Sequence, residues 1–137
     1  MLVLNPQRVK FDGHEWAQVE SIAIDRLAQK LVQDWSDDGA FAVFVDVPEQ
    51  RVRVSLVQVL DEGTLDALVP GMSGDLVFEA ARSGSDAGRF EIVISIVIGE
   101  VRHEVSRGRG VRTLVAWGVS SSGDTDPVVV IEKGGGA

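Results

Sequence analysis

Hydrophobic periodicity organises this chain around Phe90–Val105, FEIVISIVIGEVRHEV. Phe90, Ile92, Ile94, Ile96 and Ile98 recur at every second position, the period of a β-strand and not of a helix. The isoleucines are β-branched, stiff about χ1 and suited to a pleated surface. Val93 and Val97 between them are apolar as well, so both faces of this strand look covered. Beyond Gly99 the apolar positions switch to Val101 and Val105, with Glu100, Arg102 and Glu104 opposite. Two readings stand: one long strand bulged at the glycine, or two ordinary strands joined there.

The same reading predicts strands along the rest of the chain. Val9 and Phe11 share one face of a short strand, Asp12-Gly13 signals a hairpin turn, and Trp16, Val19, Ile22 and Ile24 form a returning strand that slips once. Arg26–Asp38 differs in character: Leu27, Leu31 and Trp35 fit helical spacing, yet a segment this polar between two strands equally reads as an arm that orders against a neighbour. Ser36–Gly39 predicts a turn, Ala40–Val47 a strand, Pro48-Glu49-Gln50 another turn, and Arg51–Leu60 a strand that begins half-buried and ends covered on both faces. Asp61–Val69 predicts a short helix, capped by Asp61, with an apolar stripe of Leu65, Leu68 and Val69, stopped by Pro70-Gly71. Gly74–Arg82 alternates as a strand, with Leu76 and Phe78 opposite Asp75, Val77 and Glu79, and Ser83–Gly88 reads as a flexible hairpin loop. Arg107–Gly110 turns into a strand over Val111–Ser120; after a turn at Ser121–Asp124, Pro127–Ile131 is a last short strand, and Gly134–Ala137 a loose tail. The expected architecture is mainly β. It is one domain over 1–137, an antiparallel β-sandwich or open barrel with one flanking short helix and a long arm or hairpin.

Composition narrows the classes of function. A chain of 137 residues has room for one core. It contains no cysteine, which removes disulfides and thiol chemistry. Met1–Leu4 is too short an apolar run for a signal peptide, and no run approaches the roughly 20 residues of a membrane helix, so no membrane partner is expected. The net charge of −8 argues against binding nucleic acid by neutralising phosphates, although it suits a surface that phosphate must slide past. The plainer reading is that net charge keeps the domain soluble.

Little points to catalysis. His14 and His103 are isolated, no serine occupies a nucleophile elbow, and Gly71-Met72-Ser73-Gly74 lacks the lysine of a phosphate-binding loop. No cofactor and no enzymatic activity are expected. Arg102, Arg107, Arg109 and Arg112 form the one basic cluster, able to receive an acidic partner surface or a phosphate, or simply a solvated hairpin end. The alternatives from other classes are a monomeric β-sandwich module, with Trp16, Trp35 and Trp117 as protein or carbohydrate platforms, and an enzyme with a triad around His103. So much β-surface covered on both faces, in so small a chain, instead favours burial against copies of itself.

The order of elements resembles the tail tube proteins of tailed bacteriophages, including those of gene transfer agents. The likeness lies in VKFDG, then SIAIDRLAQK ending in a polar arm, RVRVSLVQVL leading into a short helix and LVPGMSGDLVFEA, the long strand ending at Val101–Ser106, and the closing turn to Asp126-Pro127-Val128. Type VI secretion tube proteins and baseplate proteins share related folds. The resemblance implies hexameric rings whose inner sheets join into a barrel around a channel, stacked into a tube through which DNA passes without specific binding. It implies a place in the virion tail, assembly in the bacterial cytoplasm, and baseplate, terminator, tape-measure and sheath proteins as partners. It makes Asp75, Glu79, Glu20 and Glu91 the candidates for a phosphate-repelling channel wall. Arg26, Leu27, Lys30, Leu31 and Trp35 become the candidates for the ring-stacking arm.

Overall fold

The computed structural model describes residues 2–60, 68–81 and 89–133. Among these residues nine strands form one continuous sheet: β1 (Leu2–Leu4), β2 (Gln7–Phe11), β3 (His14–Glu15), β4 (Val19–Trp35), β5 (Ala42–Leu60), β6 (Ser73–Ala81), β7 (Arg89–Ser106), β8 (Arg109–Gly118) and β9 (Val128–Lys133). The order across it is β1-β4-β5-β8-β7-β6-β2-β3, with β9 beside β7, and every pairing is antiparallel. The mainly β, antiparallel expectation is therefore met.

The sheet folds over one apolar core. Val9 and Phe11 from β2, Ile22 and Ile24 from β4, Val52, Val54 and Leu56 from β5, Leu76 and Phe78 from β6, Ile92–Ile98 at alternate positions from β7, and Leu114 and Ala116 from β8 meet inside. Each set has the two-residue period, which is why one face of each of these strands is dry where it crosses the core.

β7 is one continuous strand, not two joined at Gly99. At Gly99 its register against β8 slips between Ile98 and Glu100, a bulge that moves the apolar set from even to odd positions. A Cβ at Gly99 would stand 2.8 Å from the indole Nε1 of Trp117, so glycine lets the two strands close beneath that ring. At the other hairpin, Asp12 and Gly13 both have positive φ (50° and 80°) between the paired Phe11 and His14, the conformation a two-residue turn needs.

Two expectations are revised. Arg26–Asp38 is neither helix nor loose: through Trp35 it continues β4, and Asp37-Asp38 turn into β5. Pro48-Glu49-Gln50 is no turn, because β5 runs straight through it. The pairing slips there between Lys30–Glu49 and Val32–Asp46, and a proline without an N–H is tolerated at such a bulge. The helix expected over Asp61–Val69 lies outside the described residues except for Leu68 and Val69, neither of which is helical. The expected loop Ser83–Gly88 and tail Gly134–Ala137 also lie outside them.

Candidate functional site

β4 and β5 pair far beyond the body of the sheet and project as a two-stranded arm. Every residue from Ala28 to Phe41 is exposed. Leu31, Trp35, Phe41, Val43, Phe44 and Val45 are each 49% exposed or more. Successive slips in register, at Ala28/Lys30, Lys30/Val32 and Asp34/Trp35, break the alternation of faces and set apolar side chains on both sides of the ribbon. Of the arm residues singled out from sequence, Arg26 stands at the base, where it bonds Asp126 at 2.8 Å; Leu27 is half-buried; Lys30, Leu31 and Trp35 lie on the free ribbon. The β5 half was missed, since Ala40–Val47 reads as an ordinary buried strand. Its signal was the unbroken apolar run from Phe41 to Val45, which no single dry face requires.

Asp75, Glu79 and Glu91 come together on the outer face of β6 and β7, Glu79 directly opposite Glu91. Asp75 is exposed and accepts the Ser95 hydroxyl at 2.7 Å. Glu79 is only 6% exposed, with the Arg8 guanidinium 3.4 Å away, so it offers little free carboxylate. Lys10 and Arg89 project to that face as well, across from Val77 and Ala81, so it is mixed in charge and not a continuous acidic wall. Glu20 stands apart, at the irregular start of β4, bonded to Arg109 at 2.6 Å.

Arg8, Arg26, Arg53, Arg102 and Arg109 are paired with Glu79, Asp126, Asp25, Glu104 and Glu20. Arg112, part of the basic cluster expected from sequence, is withdrawn from it by burial: it has no exposed surface, stacks on Trp16 with 5.0 Å to the ring centroid, and donates to the Gln58 side-chain oxygen. Gln58 Nε2 in turn donates to the Ala17 carbonyl at 2.8 Å. Half-buried His103 pairs with Arg112 across β7 and β8, while His14 is exposed.

Beside the arm's base, the loop from Val119 to Pro127 is organised by its own aspartates. Asp126 is held below the usual carboxylate range, first by the Val128 N–H at 3.0 Å and then by Arg26, with partial burial opposing. Asp124 is lowered by the Ser122 hydroxyl, its own backbone N–H and Thr125. The three tryptophans form no common platform: Trp16 stacks inside on Phe11 at 5.1 Å, Trp117 lies under Arg51, and Trp35 is on the arm. Among the described residues no cluster of acidic and histidine side chains is placed to hold a metal ion. Compared with known proteins, the chain matches no family profile and no curated sequence.

Proposed function

We propose that this chain is the structural subunit of a phage-type tail tube. Copies form rings, hexameric in the family it resembles; the rings stack, and DNA passes along the channel without specific binding. The observation that carries the reading is the arm. A two-stranded ribbon is marginal by itself in water, and this one leaves Trp35, Phe41 and Phe44 more than half exposed. Such surface gains stability only when another molecule covers it, by about 25 cal/mol for each Å² of apolar area.

Two further features support it. Beyond Ile98, β7 has β8 on one side and no strand on the other among the described residues; beyond Ala23, β4 likewise has only β5. Open edges of this kind are what a ring of copies would close. The paired arginines matter for passage: wherever Arg8, Arg53, Arg102 and Arg109 meet the channel, their guanidinium groups are already held by carboxylates and gain little from passing phosphate. Asp75, which is exposed, remains the first candidate for the channel wall; Glu91 is half-buried, and Glu20 and Glu79 are held by arginines. The partners proposed are other copies, then baseplate, terminator, tape-measure and sheath proteins of a virion tail assembled in the bacterial cytoplasm.

Negative-stain microscopy of the purified chain, alongside sedimentation over a range of concentrations, tests this. Rings or tubes with a central hole are expected. A single monomeric species up to millimolar concentration would refute it.

A further inference from the structure

The arm ends in an unusual combination of charges and rings. From Gln33 to Asp46 stand Asp34, Asp37, Asp38 and Asp46, with no lysine or arginine among them. Among the described residues none of the four is bonded to a cation, whereas the carboxylates on the body's sheet that meet arginines include Glu20, Asp25, Glu79 and Glu104. Trp35, Phe41 and Phe44, at 55%, 86% and 52% exposure, are interleaved with them. A ribbon end both acidic and aromatic is complementary to arginine set beside apolar ground, since guanidinium pairs with carboxylate and stacks on rings.

Such ground exists at the opposite end of the molecule. At the β7–β8 turn Arg102 and Arg109 are held by Glu104 and Glu20, both at 2.6 Å. Arg107, exposed at the turn itself, is bonded to no carboxylate among the described residues, and Val105 near it is 81% exposed. The pairing fixes the polarity. Trp35 lies across from Ala42 at the start of β5, and Gly110 across from Leu60 at its end. The 19 residues of β5 separate the two ends by about 60 Å.

We propose that the acidic, aromatic tip of the arm docks end-on against Arg107 and Val105 at the β7–β8 turn of a second copy of this chain. The inference rests on the tube reading and deepens it by naming what the arm meets. The two surfaces differ and stand at opposite poles, so each copy in a contact keeps one of each free, and the association propagates instead of closing. Its ionic part is screened by salt and its apolar part is not.

Because the chain has no cysteine, single thiols can be introduced without background. Ser36→Cys and Ser106→Cys variants, mixed, assembled and mildly oxidised, are expected to give a tip-to-turn disulfide dimer that neither variant gives alone. Asp37→Lys and Arg107→Glu are each expected to raise the concentration needed for association about tenfold, and the combination to return it to within about threefold of the parent. A doubly reversed chain no better than the worse single variant overturns the docking, as does a dominant tip-to-tip disulfide between two copies of the Ser36→Cys variant. Head-to-tail cross-linked chains without rings or tubes would sink the tube reading and keep the docking. Tubes that give no tip-to-turn disulfide would do the reverse, and a monomer at every concentration would overturn both.

Discussion

Arg112 is a cation with no exposed surface inside a largely apolar core. Burying a charge costs several kcal/mol unless neighbours replace its water. Here the Trp16 ring covers one face and Gln58 accepts a hydrogen bond, so Gln58 carries the charge's demand through to the Ala17 carbonyl and pins the segment entering β4. Gln58→Leu is expected to destabilise the fold by about 1.5–3 kcal/mol, the range for a hydrogen bond to a charged group. Adding Arg112→Met should recover most of that loss, because an apolar pair needs no partner. Urea unfolding of the single and double variants reads both effects, and an unchanged Gln58→Leu midpoint would remove Gln58 from this role. Asp126 illustrates the opposite case, a charge stabilised near the surface. Its pKa in the fold is lowered, so its contribution is complete above the unfolded value and fades only as pH falls through the folded one, below about pH 4. The Val128 N–H is the largest single cause and Arg26 adds a hydrogen bond and a charge, so Arg26→Ala should return the Asp126 midpoint only part of the way to the ordinary carboxylate range in an NMR titration; full return would remove the Val128 N–H from this role.

The elements divide into those that the two-residue period specifies and those it does not. β6 and the inner face of the first half of β7 read directly, because the alternation survives in the residues; the second face of β7, expected to be covered, is only partly so, with Ser95 exposed. Gly99 also read correctly as a possible bulge, since a change of apolar parity at a glycine has few other causes. The arm did not. Leu27, Leu31 and Trp35 mimic a helical stripe only because repeated bulges shift the strand's phase by one residue each time. Pro48 looked like a break for the same reason: whether a missing N–H matters depends on the partner strand, which local sequence does not contain. An element exposed on both sides should also be dispensable for folding the body. Replacing residues 28–50 by an Asn-Gly turn between the paired Leu27 and Arg51 is expected to leave the melting temperature within a few degrees while abolishing assembly. A chain that unfolds on this change, or still assembles, would deny the arm its proposed role.

At the scale of the whole molecule, the acidic balance turns out to be distributed unevenly. Strand faces set carboxylates against arginines, while the tip of the arm keeps four aspartates without a bonded cation among the described residues. Net charge alone could not reveal this, because Coulomb energies depend on which groups lie within a few ångströms, and the pairs here join residues up to 100 positions apart. In the proposed tube, the aspartates at the tip are the charges left to select how copies stack. The sequence by itself determined the β class, the alternate residues that fill the core, the Asp12-Gly13 turn and the absence of thiol chemistry, since each depends on near neighbours and the period of a strand. Only the tertiary structure decided that β4 and β5 run on past the core as an exposed ribbon, that Arg112 is buried while Arg107 is not, and that Glu20 lies away from Asp75 and Glu91. Those outcomes depend on which distant strands pair and in what register, and no local stretch of sequence encodes that.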